Sequence, residues 1–152
     1  MDFFMDIYRA THDDLNDLGD LFDQYRVFYK QKSNRKQSVA FLKDRLDLNE
    51  SVLFIARDQE RKGIGFTQLY PLFSSVTAQR SWLLNDLYVH PDFRGRGIGQ
   101  ALLRKAKAHC TMTGWKGVAL QTDTDNPAQH LYEREQWEKE EVFSYFWKNS
   151  KV

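Results

Sequence analysis

Three glycines at alternate positions, in Arg94-Gly95-Arg96-Gly97-Ile98-Gly99, separate an apolar run of strand length from a stretch with helical periodicity. A chain that turns from strand to helix through such a loop packs that helix back on its own sheet, so the architecture called for is mixed α/β. The apolar run is 82–89, and His90-Pro91-Asp92-Phe93 stops it. Beyond the glycines, Ile98, Ala101, Leu102 and Ala106 share one helical stripe that runs to Thr113, where Gly114 ends it.

The remaining elements follow from period and punctuation. A short β-like segment, 6–9, precedes Thr11-His12-Asp13-Asp14, which has the form of a capping box. Leu15, Leu18, Phe22, Tyr25 and Tyr29 then recur at helical spacing until Ser33-Asn34 breaks the pattern. Phe41, Leu42, Arg45 and Leu46 make the face of a second helix. Strands are predicted at 52–56 and 65–72, the latter with Pro71 near its end because proline cannot donate to a central ladder. After the glycine loop and its helix come a strand at 118–122, a helix at 126–136 and a last strand at 142–147. With no internal repeat and no linker, one domain spanning 1–152 accounts for the chain.

Composition excludes several functions. The net charge is +1 with basic and acidic residues interspersed, so no nucleic-acid partner is expected, and the mildly basic 30–43 stretch reads as a solvated helix face. One cysteine, Cys110, rules out an internal disulfide framework. His12, His90, His109 and His130 do not pair at ligand spacing, so no metal is expected. No stretch is long and apolar enough to span a membrane, and the start lacks the features of a signal peptide. The expectation is a cytoplasmic protein.

The glycine loop carries the chemistry. A helix N-terminus leaves amides unpaired and bears about half a positive charge, and glycines let an anion approach that backbone closely. Arg94 and Arg96 add cationic donors, which makes a diphosphate the natural ligand. The glycine spacing is that of neither a P-loop nor a dinucleotide-binding fold. Taken alone, the pattern fits an anion cradle and a plain turn about equally.

Its flanks decide the matter. Leu87-Tyr88-Val89-His90-Pro91-Asp92-Phe93-Arg94-Gly95-Arg96-Gly97-Ile98-Gly99-Gln100-Ala101-Leu102-Leu103 closely resembles the acetyl-CoA motif of the GCN5-related N-acetyltransferase (GNAT) family, with Arg94, Gly97 and Gly99 at its three consensus positions. Asn126-Pro127-Ala128-Gln129-His130-Leu131-Tyr132 resembles a second motif of that family, and the order of elements along nearly the whole chain is the family's order. One departure stands out: Gln136 occupies the place before Trp137 where the family usually has glycine.

The resemblance implies an α+β GNAT fold. Its mixed, mostly antiparallel sheet of six to seven strands would splay between the fourth and fifth, with about four helices on its faces. It implies acetyl-CoA as co-substrate, with the pantetheine arm against Leu87, Tyr88 and Val89. The amides of Arg96, Gly97, Ile98 and Gly99 would hold the diphosphate, with Arg94 and Gly95 also counted among the cofactor-binding residues, and Asn126 and Tyr132 would lie near the arm and the sulfur. Tyr132 would then be the general acid, since a phenol can lend its proton to a departing thiolate. Asp86, a carboxylate inside an apolar strand, is the candidate general base or an anchor for a cationic substrate; the bland alternative is a structural carboxylate.

On the acceptor side, Tyr25, Tyr29 and Tyr70 join Asp86 as candidates, since aromatic walls suit an alkylammonium group. The stretch 66–71 with Leu84-Asn85-Asp86-Leu87 resembles the spermidine/spermine and Hpa2-type histone acetyltransferase branch, which implies a polyamine or another small basic amine. The alternatives are a protein or histone lysine acetyltransferase and a non-catalytic acyl-CoA sensor. The apolar 142–147 segment would be an adhesive edge, so a homodimer is expected.

Overall fold

The capping box at Thr11 fixes where the chain leaves the sheet. In the computed structural model, which describes residues 3–152, Thr11 Oγ1 accepts from the Asp13 amide at 3.3 Å. The Asp14 carboxylate accepts in return from the Thr11 amide at 3.0 Å. One 3-10 turn, His12–Asp14, leads into α1 (Leu15–Phe28), which buries Leu18, Leu21 and Phe22. Helix α1 ends at its C-cap, Tyr29, and Asn34 then caps α2 (Arg35–Asp47) by accepting from the Gln37 amide at 3.1 Å.

The described strands are β1 (Asp6–Arg9), β2 (Val52–Arg57), β3 (Gly63–Ser74), β4 (Gln79–Val89) and β5 (Val118–Ala119), and they lie in that order in one mixed sheet. The first four pair antiparallel and β4 pairs β5 in parallel. Every position of β2 is buried, because helices cover both of its faces. Leu53 and Ile55 join the α1 residues Leu18, Leu21 and Phe22 in one cluster, while Phe54 lies edge-on to His109 of α3 (Ile98–Thr113), with ring centroids 5.4 Å apart. Pro71 is tolerated inside β3 because β2 pairs no further than Leu69, where a single neighbouring strand remains.

Three expectations need correction. The sheet has five strands among the described residues rather than six to seven. The 142–147 segment forms no ladder, and its Phe143 and Trp147 are 92% and 81% exposed. Strand propensity supplies no partner for the backbone, and without one an apolar run stays irregular. The strand predicted at 118–122 is likewise confined to Val118–Ala119.

The chain forms two compact units, one ending at Gln121 and one spanning Thr122–Val152. The second holds α4 (Gln129–Arg134), shorter than the 126–136 expected. Its exit is closed by hydrogen bonds from the Gln136 amide to the Glu133 carbonyl and from the Trp137 amide to the Tyr132 carbonyl, both 3.0 Å. This closure puts Gln136 at φ +67°, the left-handed conformation glycine favours. Glutamine thus takes a left-handed turn that glycine would adopt more readily, and bears the strain. Gln136→Gly should stabilise the protein by about 1 kcal/mol, a rise of about 2–4 °C in Tm, and an unchanged or lower Tm in a thermal melt would refute this.

Candidate active site

Gly65 of β3 determines how close α3 comes to the sheet. A Cβ there would sit 2.9 Å from the Tyr88 carbonyl oxygen, 3.3 Å from Ile98 and 3.4 Å from Leu102, so only glycine lets the first turns of α3 lie flat on β3 and β4. The loop feeding that helix is thereby fixed just beyond the end of β4.

Within the loop Gly95 and Gly97 have φ of +77° and +78°. A Cβ on Gly95 would meet nothing within 4 Å, and one on Gly97 only Gln100 Oε1 at 3.9 Å. The glycines therefore serve backbone direction and open approach rather than packing against the protein. No side chain caps α3 at Gly97, so its N-terminal amides and dipole face outward as an anion cradle. Arg94 and Arg96 flank the cradle from exposed positions, resting on aromatic faces. Arg94 lies 5.7 Å from the Phe28 and Tyr88 ring centres and Arg96 5.3 Å from that of Phe93. These residues fit a diphosphate such as that of CoA.

The edge of β4 next to the loop is open. β5 pairs only with Trp82 and Leu83. Just past them Asn85 is an extra residue, since Leu84 faces Leu69 while Asp86 faces Gln68. A bulge of this kind bends a strand and strengthens its twist, which is how β4 departs from β5. The His90 amide donates to the Ile64 carbonyl at 2.8 Å, so with this register Tyr88 and Asp86 also bond toward β3. The main-chain groups of Leu87 and Val89 therefore point to the open side, where Arg94 Nε reaches the Val89 carbonyl at 3.1 Å. The Tyr88 ring does not join them; it is buried in the core with Phe22 and Phe66.

Asp86 is 4% exposed and sits in the wall of a cavity of about 330 Å³ bounded by α1, α2, β3 and β4. Gln68 Nε2 donates to its Oδ2 at 2.6 Å and Asn85 Nδ2 to its Oδ1 at 3.1 Å, while the Tyr25 hydroxyl donates to the neighbouring Asn85 carbonyl at 3.5 Å. Burial pushes the Asp86 pKa above the usual carboxylate range, and the hydrogen bonds it accepts only partly offset that. The same desolvation, with the Asp86 charge nearby, pushes the Tyr70 phenol up to about 12 and raises that of Tyr25 further. Tyr70 lines the cavity with Phe22 and Phe41. Of the four acceptor-side candidates, Asp86, Tyr25 and Tyr70 thus come together. Tyr29 is about half exposed and packs edge-on against Tyr25, 5.1 Å between centroids.

Asn126 and Tyr132 belong to the second unit. The Asn126 side-chain oxygen accepts from the Ala128 amide at 2.9 Å, shaping the turn before α4, and Tyr132 lies within α4 with its ring 6.4 Å from that of Trp137.

Sequence reasoning missed Gln68, although it is a second polar residue in an apolar strand and lies opposite Asp86. It also missed Arg26, Gln37 and Ser38 in the cavity wall. Ser38, read as part of a solvated face, is 1% exposed and donates to Asp23 at 3.0 Å. Only the tertiary contact between α1 and α2 turns that face inward.

Comparison with known proteins identifies the family. Residues 49–139 match the family described as acetyltransferase (GNAT) domain. The uncharacterized N-acetyltransferase YhfO of Bacillus subtilis is 43% identical over 143 residues, covering 93% of this chain and 95% of that one. A probable acetyltransferase of Haemophilus influenzae is 40% identical over 103 residues, 68% of this chain and 70% of its own. Among solved structures, a probable acetyltransferase superposes with a TM-score of 0.88 at 36% identity, covering 95% and 97% of the two chains. An aminoglycoside N-acetyltransferase in complex with CoA gives 0.81 at 21% identity over 97% of each, a likeness of fold. The chain belongs to the GNAT acetyltransferases and is an acetyl-CoA-dependent N-acetyltransferase.

Proposed function

We propose that the acceptor is a small basic amine, free or as a lysine side chain, whose ammonium group docks on Asp86 inside the aromatic cavity. The observation that carries this reading is the placement of a buried carboxylate in that cavity, on the strand whose open edge adjoins the anion cradle. Bound acetyl-CoA supplies the thioester; the amides of 96–99 hold its diphosphate, and Leu87 and Val89 offer main-chain groups to its arm. The amine nitrogen must lose a proton as it forms the amide bond, and the sulfur must gain one as the thioester bond breaks. An alkylammonium has a pKa near 10.4, so Asp86 both attracts the cation and accepts the proton. Tyr132 is assigned as donor to the sulfur and Asn126 as a contact of the arm, by their match to the family motif. A cytoplasmic homodimer joined through the exposed 142–147 segment completes the reading, and sedimentation should give twice the 18.0 kDa chain mass.

The test is thiol release from acetyl-CoA across diamines, polyamines, amino acids, aminoglycosides and lysine peptides. Turnover of at least one basic amine is expected, and Tyr132→Phe should lower it roughly tenfold or more with CoA affinity kept. CoA binding without turnover of any amine would favour the sensor instead, and unchanged turnover in Tyr132→Phe would remove its role.

A further inference from the structure

The acceptor cavity has a cationic wall as well as an anionic one. Arg26, from the last turn of α1, lines it together with Gln37 and Ser38 of α2, across from the strand residues Asn85 and Asp86. Its guanidinium makes two long hydrogen bonds, both to neutral oxygens: Nη1 to Ser38 Oγ at 3.4 Å and Nη2 to Gln37 Oε1 at 3.3 Å. The nearest carboxylate, Asp23, stands 4.0 Å away. The Asp23 oxygens are already engaged by the Ser33 hydroxyl, the Asn34 amide and the Ser38 hydroxyl, and these bonds, with a smaller contribution from the Arg26 charge, outweigh burial to hold its pKa below the usual range. Asp23 therefore positions α2 and does not close a forked pair with Arg26. The other nearby cation, Arg45, lies over Phe41 at 4.5 Å and is paired with Glu50 at 3.1 Å. Arg26 is the cavity's unsaturated fork, and a planar guanidinium with spare donors recognises a carboxylate.

We infer that the acceptor carries a carboxylate as well as an amine, the amine on Asp86 and the carboxylate on Arg26, making it an amino acid rather than a polyamine. This rests on Asp86 being the docking point of the acceptor amine. A diamine would bring its second ammonium into a cavity whose opposite wall is already positive, whereas an amino acid satisfies both walls.

The experiment compares kcat/KM for L-lysine, 6-aminohexanoate and other α- and ω-amino acids, each beside the amine that lacks its carboxylate, such as cadaverine. The wild type should prefer carboxylate-bearing acceptors at least about tenfold, expressed mainly in KM. Arg26→Gln should collapse that preference toward one, and Arg26→Lys, which keeps charge without the fork, should restore part of it. CoA affinity, read separately by calorimetry, reports that both variants are folded. Equal or better turnover of the plain amines by the wild type would overturn the inference while leaving the acetyltransferase reading intact. So would an Arg26→Gln loss that falls equally on both members of each pair. No turnover of any amine would overturn the Asp86 reading, and this inference with it.

Discussion

Asp86→Asn should lower kcat/KM by about 10²–10⁴-fold, the range for a lost acid–base group, while leaving the protein at least as stable at neutral pH. The substitution keeps the size of the side chain. Its amide oxygen can still accept from Gln68 Nε2, which now bonds Oδ2 at 2.6 Å, and the Tyr25 phenol can still find a partner. What disappears is a negative charge held at 4% exposure with no cation bonded to it. Such a charge is expensive, and hydrogen bonds from neutral donors recover only part of its lost hydration.

The sign of the pH dependence follows from the direction of the shift. Burial raises the folded-state pKa of Asp86 above its unfolded value near 3.9, so the folded protein holds a proton that the unfolded chain has released. Its contribution to stability is complete below pH ~3.9 and is lost as pH rises through the raised folded pKa. The stability advantage of Asp86→Asn should therefore grow from about pH 4 upward and level off beyond that pKa. The activity of the wild type should rise through the same limb, because only the ionised carboxylate binds the ammonium and takes its proton. Denaturant melts and kcat/KM profiles on the two proteins give both curves. Retained activity together with a large loss of stability would instead make Asp86 a structural carboxylate.

The two strand polar residues show what was legible in the sequence. Asp86 interrupts an apolar run, and an interruption of that kind can be read without coordinates. The glycine loop is similar: glycines at alternate positions between a strand and a helix admit few backbone paths, and Gly95 and Gly97 do take positive φ. Arg26 and Ser38 were not legible, because an arginine at a helix end and a serine among lysines are ordinary surface chemistry until a second helix packs over them. The 142–147 segment fails in the opposite direction. Its run of β-branched and aromatic residues has strand propensity, yet pairing is a property of two segments, and a single one does not encode its partner. Gln136 lies between these cases: its place before Trp137, usually glycine in the family, was legible, while the left-handed turn it adopts is seen only in the backbone.

Arg57→Met should destabilise the fold by about 3–5 kcal/mol, the usual consequence of removing one member of a buried ion pair, and lower Tm by roughly 10 °C. Arg57 is 6% exposed at the end of β2. Its Nη2 donates to Asp14 Oδ1 at 3.0 Å, its Nη1 to Asp17 Oδ2 and to the Arg61 carbonyl, both at 2.7 Å, and its Nε to the Tyr8 hydroxyl at 2.8 Å. Tyr8 in turn donates to Asp14 at 2.6 Å, and Asp14 also closes the capping box. One guanidinium thus ties β1, β2 and the start of α1 together. Burial alone would raise the Asp14 pKa, but bonds from Tyr8, Thr11 and Arg57 bring it below the usual value. In the wild type that stability is present above pH ~3.9 and lost as pH falls through the depressed folded pKa. With methionine at 57, Asp14 keeps its burial and loses its cation, so the deficit should be largest at neutral pH and shrink toward pH 4. Adding Asp14→Asn should recover a large part of the loss, because no lone buried charge then remains. Urea denaturation of the single and double variants at both pH values measures each term. Additive losses at neutral pH would mean that the pair contributes no coupling and that the guanidinium acts there only by filling space.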